Sequence, residues 1–297
     1  MPLARGNNIG ITLYGGSILA GVLPDACAHL PKGHNMDAAT VFEAVGAVGA
    51  GLMDIEELHT IECAAMPGAG ACGGMFTANT MAVVIEALGM SLPYTAAHTA
   101  MDPKTGELSA AKKKDCRDTV DALATLLAKG IRARDIITVK ALENAVTVMM
   151  SVGGSTNGIL HTLAIAREAG LRADFSIDSF NPIAARVPLI GNFSPGGKYQ
   201  MEALDRVGGV PVLMKLLLNR GLLHGDVMTC TGKTLAENLA DVPELSDEQD
   251  VIFPLDKPIA AAGNHLTVLK GNLAVNGCVM KLSGKQLGGG SGIFEGQ

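Results

Sequence analysis

Tryptophan is absent from this 297-residue chain, and Phe, Trp and Tyr together make up only 3% of it. A core built on large aromatic anchors is thereby excluded. The filling falls to Ala, Val, Leu and 14 Met residues, whose flexible thioethers adapt to irregular gaps. Positive charge is also scarce. The formal net charge is −6, and the one basic run, Lys112-Lys113-Lys114, is followed at once by Asp115. That run reads as the solvated face of a helix, which argues against a nucleic-acid partner. No uninterrupted apolar stretch reaches the roughly 20 residues that a membrane-spanning helix needs, and Met1-Pro2-Leu3-Ala4-Arg5 opens no secretory signal. The six cysteines lack regular spacing, which excludes a disulfide framework and places the chain in a reducing compartment.

What is present suits an enzyme core of one large or two smaller domains. Hydrophobic residues make up 48% and charged residues 18%, and the 37 glycines are spread through turns instead of forming a low-complexity tract. The spacing predicts a helix over 39–48 with Val41, Phe42, Val45 and Val48 on one face. Asp54 with Glu57 forms a capping box for a helix to about Cys63, ended before Pro67. Further helices run from Ser109 to Lys129, closed by Gly130, and from about Thr138 to Met150, broken by Gly153 and Gly154. Another follows, capped by Ser155, Thr156 or Asn157, and runs through Glu168 to Gly170. Helices interleaved with short apolar runs give an α/β layer arrangement. After Leu245 the texture changes. His265 to Leu269 alternates like a strand, and Asn276-Gly277 signals a hairpin into Cys278–Leu282, so a domain boundary is placed near residue 250. A lone hairpin there would be marginal and would expose strand edges. The final Gly288-Gly289-Gly290-Ser291-Gly292 reads as flexible.

The most informative stretch runs from Pro67 to Met81, Pro-Gly-Ala-Gly-Ala-Cys-Gly-Gly-Met-Phe-Thr-Ala-Asn-Thr-Met. One thiol, Cys72, sits among glycines that let backbone approach closely. A helix beginning near Thr77 would point its free N–H groups toward a thiolate. On the residues alone, a lone Cys is more often a small buried hydrophobe, and that reading of Cys72 stays open.

This stretch resembles the cluster-cysteine motif of the dihydroxy-acid dehydratase family, which includes the related sugar-acid dehydratases. Tyr14-Gly15-Gly16-Ser17-Ile18, Val152-Gly153-Gly154-Ser155-Thr156-Asn157, Ser194-Pro195-Gly196-Gly197-Lys198-Tyr199, Thr231-Gly232-Lys233-Thr234-Leu235-Ala236-Glu237-Asn238 and Gly271-Asn272-Leu273-Ala274 are similar to family segments, in the family's order. The resemblance implies a layered N-terminal α/β dehydratase domain over 1–250. It also implies that 251–297 is the first hairpin of a truncated, β-barrel-like C-terminal domain. The implied reaction removes water from 2,3-dihydroxy-3-methylbutanoate-type acids to give 2-keto acids, in valine and isoleucine biosynthesis. Alternatives are a sugar-acid dehydratase of the same family or a non-catalytic remnant.

The implied cofactors are an iron–sulfur cluster, 2Fe–2S or 4Fe–4S, whose open iron acts as Lewis acid, and Mg²⁺, which holds the carboxylate and C2 oxygen. Cys72 is the implied cluster ligand, with Gly73, Gly74, Thr77 and Asn79 shaping its pocket and Ser155, Thr156 and Asn157 near substrate. The other two cluster cysteines and an Asp and Lys at the magnesium site are expected before Tyr14. A metal-binding Glu and the catalytic base Ser are expected after Gln297. The chain thus reads as the middle of the enzyme, inactive by itself and binding neither cofactor stably. The complete enzyme is expected to be a homodimer acting on a small dihydroxy acid, without nucleic acid or membrane, in the cytoplasm or an organelle matrix.

Other motifs carry less. Cys27, His29 and His34 offer soft ligands without a fourth, and a surface loop is expected. Gly232-Lys233-Thr234 lacks the leading Gly of a phosphate-binding loop, where Val227 stands, and reads as a helix start. Cys63 is expected to pack on its helix, and Cys116, Cys230 and Cys278 to be core or surface thiols. His161 is expected to be a hydrogen-bonded core histidine.

Overall fold

The computed structural model describes residues 1–27 and 30–282. Its architecture is mixed helix and strand, and helices carry most of the regular structure. Helix α1 (Pro2–Gly6) starts on a proline, whose missing N–H costs nothing at a helix start. Strands β1 (Gly21–Val22) and β2 (Asn35–Met36) form an antiparallel ribbon. Helices α2 (Ala38–Gly49) and α3 (Ile55–Ala65) pack on each other and on this ribbon around Leu23, Met36, Ala44, Met53, Leu58, Ile61 and Ala65. The expected Asp54–Glu57 capping box opens α3. The expected apolar face of α2 is buried only in part, with Val41 and Val48 half-buried against this cluster. Thr40 and Ala44 point inward, whereas Phe42 is 74% exposed and Val45 50%. A helix with one helical neighbour and a two-stranded ribbon to cover buries only a narrow stripe, and small Ala44 permits the close approach.

The principal core is built on α4 (Thr77–Ala87), which packs against helices that follow much later in the chain. Helix α5 (Ala110–Lys129) is capped by Ser109 and stopped by Gly130 at φ 69, as expected, and the short α6 (Ala133–Ile136) follows. Helix α7 (Val139–Ser151) is almost wholly buried, and α8 (Thr156–Glu168) starts after the Gly153-Gly154 break. A 3-10 turn (Ile177–Ser179) leads to α9 (Phe180–Ala184), then α10 (Glu202–Arg206), α11 (Gly209–Asn219) and α12 (Leu235–Leu239). Helix α4 packs on α7, α8 and α11, and Met149, Val83 and Leu213 belong to their common cluster. Thr234 caps α12 with Glu237 completing the box, so Gly232-Lys233-Thr234 is a helix start.

Strands β3 (Leu266–Leu269) and β4 (Cys278–Lys281) form the expected antiparallel pair, with Leu269 opposite Cys278. The connection is longer than a two-residue turn. It occupies residues 270–277, with Gly277 at φ 97 at its end. Nor is the hairpin left without partners. Leu266 and Val268 enter the principal core, and Asn181 of α9 pairs with the β3 backbone, accepting from the Val268 N–H and donating to its carbonyl at 2.8 Å each. One side-chain amide thus does for that edge what a neighbouring strand would do. The expected flexible glycines at 288–292, and His29 of the Cys27 loop, lie outside the described residues.

Candidate functional site

The cysteine loop is held from three sides by backbone. The Ala71 N–H donates to the Gly16 carbonyl at 3.0 Å, the Met75 N–H to Ser194 at 2.7 Å, and the Met201 N–H to Gly73 at 2.7 Å. Two glycines make this approach possible. Gly70 sits at φ +146, and a Cβ there would lie 2.5 Å from the Ile18 Cα. A Cβ on Gly74 would lie 2.8 Å from the Ser194 carbonyl oxygen. The Tyr14-Gly15-Gly16-Ser17 and Ser194–Tyr199 segments therefore converge on the loop from opposite parts of the chain.

Cys72 is half-buried, and its sulfur accepts the backbone N–H of Asn79, in the first turn of α4, at 3.2 Å. The expected helix start at Thr77 is observed, with its N–H groups aimed at sulfur. Burial nevertheless pushes the thiol above its ordinary value, outweighing the N–H groups that favour the thiolate. Asn79 is fully buried. Its amide nitrogen donates to the carbonyls of Cys72 at 2.7 Å, Gly73 at 3.2 Å and Gly74 at 2.7 Å, and its Oδ1 accepts from the Tyr14 hydroxyl at 2.7 Å. Asn79 shapes the loop from within, with its polar atoms engaged by protein groups.

The second predicted group lies beside the first. Asn157 Nδ2 donates to Thr77 Oγ1 at 2.7 Å, and the Ser155 N–H donates to Thr80 Oγ1 at 2.9 Å. Ser155 caps α8 by accepting the Asn157 N–H. Ser155 and Thr156 are half-buried and Asn157 is exposed. Two segments about 80 positions apart in sequence are thus brought to one place, at the starts of α4 and α8.

Several contributors were invisible in the sequence pattern. Asp37 caps α2 through Oδ1 and accepts from Ser194 Oγ and Gln200 Nε2 through Oδ2. Lys112 is buried, contrary to the solvated-face expectation, and only Lys113 and Lys114 of the run are exposed. Its ammonium donates to the carbonyls of Tyr14 at 3.0 Å and Thr95 at 2.7 Å and pairs with Asp115 at 2.8 Å. Burial raises the Asp115 carboxyl, but hydrogen bonds from His98 and Lys112 outweigh it and hold the group below its usual value. The Lys112–Asp115 spacing of three was the available signal.

The remaining thiols and His161 also need correction in part. Cys63 is exposed on α3 with its sulfur 3.7 Å from His59 Nε2, so it does not pack. Its neighbours Leu58, Ile61 and Ala65 form the buried stripe and leave position 63 outside. Cys116 and Cys278 are exposed, and Cys230 is buried, its thiol pushed up to about 12 by burial. His161 is half-buried on α8 and not in the core. All six cysteines are free.

A family model for the dihydroxy-acid/6-phosphogluconate dehydratase N-terminal region matches residues 1–238. The chain belongs to this family. It is 50% identical over 282 residues to dihydroxy-acid dehydratase 2 of Staphylococcus saprophyticus, covering 95% of the chain and 47% of that protein. It is 49% identical over 286 residues to dihydroxy-acid dehydratase of Methylococcus capsulatus, covering 96% and 48%. With that of Thermosynechococcus vestitus it shares 47% over 300 residues, covering 99% and 50%. The chain spans about half the length of the curated relatives it matches. Among the described residues no three His, Cys, Asp or Glu side chains come together as metal ligands, and none of the helices is long and apolar enough to cross a membrane. The described residues therefore do not present a complete ligand set for an iron–sulfur cluster.

Proposed function

We propose that this chain forms a middle section of a dihydroxy-acid dehydratase, a hydro-lyase that takes water from 2,3-dihydroxy-3-methylbutanoate-type acids and leaves 2-keto acids for valine and isoleucine synthesis. The observation that carries this reading is identity of about half over nearly the whole chain with proteins of that name. The same names favour it over a sugar-acid substrate. Residues 1–250 are the first domain in this reading, 251–297 begin a β-barrel-like second one, and the complete enzyme is a cytoplasmic homodimer.

In this reading Cys72 is the residue through which the chain holds a cluster, at the end of a loop whose geometry is fixed by Gly70, Gly74 and Asn79. A cluster thiolate cannot be replaced by an alcohol or a methyl group. Thr77 and Asn157, joined by their hydrogen bond, place Ser155 and Thr156 next to that loop, where hydroxyl and N–H donors would orient a carboxylate. Magnesium belongs to ligands that the described residues do not supply.

The test joins this chain to the flanking parts of the Staphylococcus saprophyticus relative. The hybrid is expected to form 2-keto acid from 2,3-dihydroxy-3-methylbutanoate and to show visible cluster absorption. Cys72→Ser abolishes both, while Cys63→Ala and Cys116→Ala leave the spectrum intact. The 297-residue chain alone, treated anaerobically with iron and sulfide, yields neither a stoichiometric cluster nor keto acid. A Cys72→Ser hybrid that keeps both absorption and turnover overturns the reading.

A further inference from the structure

The side chain of Tyr14 reaches the cysteine loop through Asn79, the residue whose backbone N–H meets the Cys72 sulfur. Its hydroxyl donates to Asn79 Oδ1 at 2.7 Å. That contact fixes which way the Asn79 amide faces. With Oδ1 committed to Tyr14, the NH₂ group is turned to the Cys72, Gly73 and Gly74 carbonyls, and the reverse orientation would set Oδ1 against three carbonyl oxygens. The same Asn79 residue supplies the backbone N–H that meets the Cys72 sulfur at 3.2 Å. Tyr14 is itself held at its other end. Its carbonyl accepts from the buried Lys112 ammonium at 3.0 Å, and that nitrogen lies 5.7 Å from the centre of the Tyr14 ring.

We propose that Tyr14 is a positioning residue for Cys72, acting through Asn79: its hydroxyl locks the amide that gathers the three loop carbonyls and so fixes where the sulfur sits against the start of α4. The proposal rests on the reading of Cys72 as the working thiol, but its geometry does not depend on the identity of the substrate. Burial raises the Tyr14 hydroxyl above its ordinary value, and a charge on Cys72 would raise it further, so it remains a donor throughout the neutral range. Thr77 and Asn157 add a link on the far side of the loop, but neither touches the three carbonyls. The lock is therefore specific to the Tyr14–Asn79 pair.

The test is made on the 297-residue chain by NMR, without any dehydration assay, so its outcome is independent of whether the dehydratase reading holds. In the parent chain the buried, hydrogen-bonded Asn79 side-chain NH₂ is expected to be protected from solvent exchange. Tyr14→Phe keeps the ring and its burial and removes only the hydroxyl. It is expected to speed Asn79 NH₂ exchange by about tenfold or more and to give the Cys72 Cβ carbon more than one environment. The side-chain amide of Asn144, equally buried and bonded to His224, serves as internal control and stays unchanged. Replacing Tyr14 by 4-aminophenylalanine, which restores a donor at the same ring position, rescues both signals.

Exchange in Tyr14→Phe within about twofold of the parent overturns the proposal. So does equal acceleration at Asn79 and Asn144, which would make Tyr14 a contributor to global stability only. If Tyr14→Phe does not fold, the parent chain decides: free exchange of the Asn79 NH₂ is incompatible with the lock, and protection that survives in the 4-aminophenylalanine variant supports it.

Discussion

The Asp37 carboxylate and the Ser194 hydroxyl meet at 2.6 Å across 157 positions of sequence, both buried. Their contact ties the α2 end of the smaller apolar cluster to the segment that brackets Gly73 and Gly74. Asp37 does two jobs with two oxygens: Oδ1 caps α2 at Ala39 and Thr40, and Oδ2 takes Ser194 and Gln200. Loss of a cap costs about 1 kcal/mol, and a buried hydrogen bond to a charged group contributes roughly 1.5–3 kcal/mol. Asp37→Ala is therefore expected to destabilise by about 2–4 kcal/mol. Asp37→Asn, which keeps one acceptor, should cost less. Urea melts of the three proteins check the order, and an alanine variant as stable as the parent removes the bracket.

Glycine substitutions separate close approach from mere exposure. Gly70→Ala forces a Cβ to 2.5 Å from Ile18 at a φ of +146, which should cost roughly 1–3 kcal/mol and displace the cysteine loop. Gly46, inside α2 with nothing within 4 Å of its would-be Cβ, behaves oppositely. Gly46→Ala should stabilise by about 0.5–1 kcal/mol, because it removes backbone entropy from the unfolded chain. Thermal unfolding of both variants decides. A neutral Gly70→Ala would show that the backbone approach does not hold the loop.

These two cases show where the sequence was readable. The capping box of Asp54 and Glu57, and the Ser109 and Gly130 ends of α5, are local chemistry, so spacing alone locates them. The start of α4 at Thr77, just after Cys72, was readable for the same reason. Asp37 and Gln200, 163 positions apart, leave no periodic trace. Lys112 misled for a related reason: its run is basic, but its partners are carbonyls of Tyr14 and Thr95, contributed by other segments. The hairpin misled through context, since its stability comes from Asn181 and the principal core instead of a neighbouring strand.

Glu86 makes stability fall as pH rises. Its buried carboxyl accepts the N–H groups of Tyr94 and Ala96 at 2.9 Å each. Burial raises it to about 7, the hydrogen bonds only partly offsetting this. A carboxyl that holds its proton more tightly when folded contributes stability that is full below the unfolded value near 4.5 and lost as pH climbs through about 7. Glu86→Gln does not titrate. The stability advantage of the parent over this variant should shrink between pH 5 and 8, at up to about 1.4 kcal/mol per pH unit. An advantage that widens with pH contradicts the assignment.

His265 works in the opposite sense, and it anchors the hairpin. Its Nε2 lies 3.0 Å from the Gly154 carbonyl, so that nitrogen carries the proton, while Lys281 donates to the neighbouring Gly153 carbonyl at 3.2 Å. Together they fasten β3 and β4 to the turn that precedes Ser155. Burial, with Lys281 adding to it, lowers His265 to about 3. Between that value and the unfolded 6.5 the unfolded chain binds the extra proton, so stability rises with pH across this window and is lost as pH falls below 6.5. His265→Gln retains an amide donor for Gly154 without the titration. Its stability relative to the parent should improve on acidification from pH 6.5 toward 4, by up to about 1.4 kcal/mol per pH unit. Urea melts at several pH values measure this directly, and parallel curves for the two proteins would show that the imidazole is not held neutral against the turn.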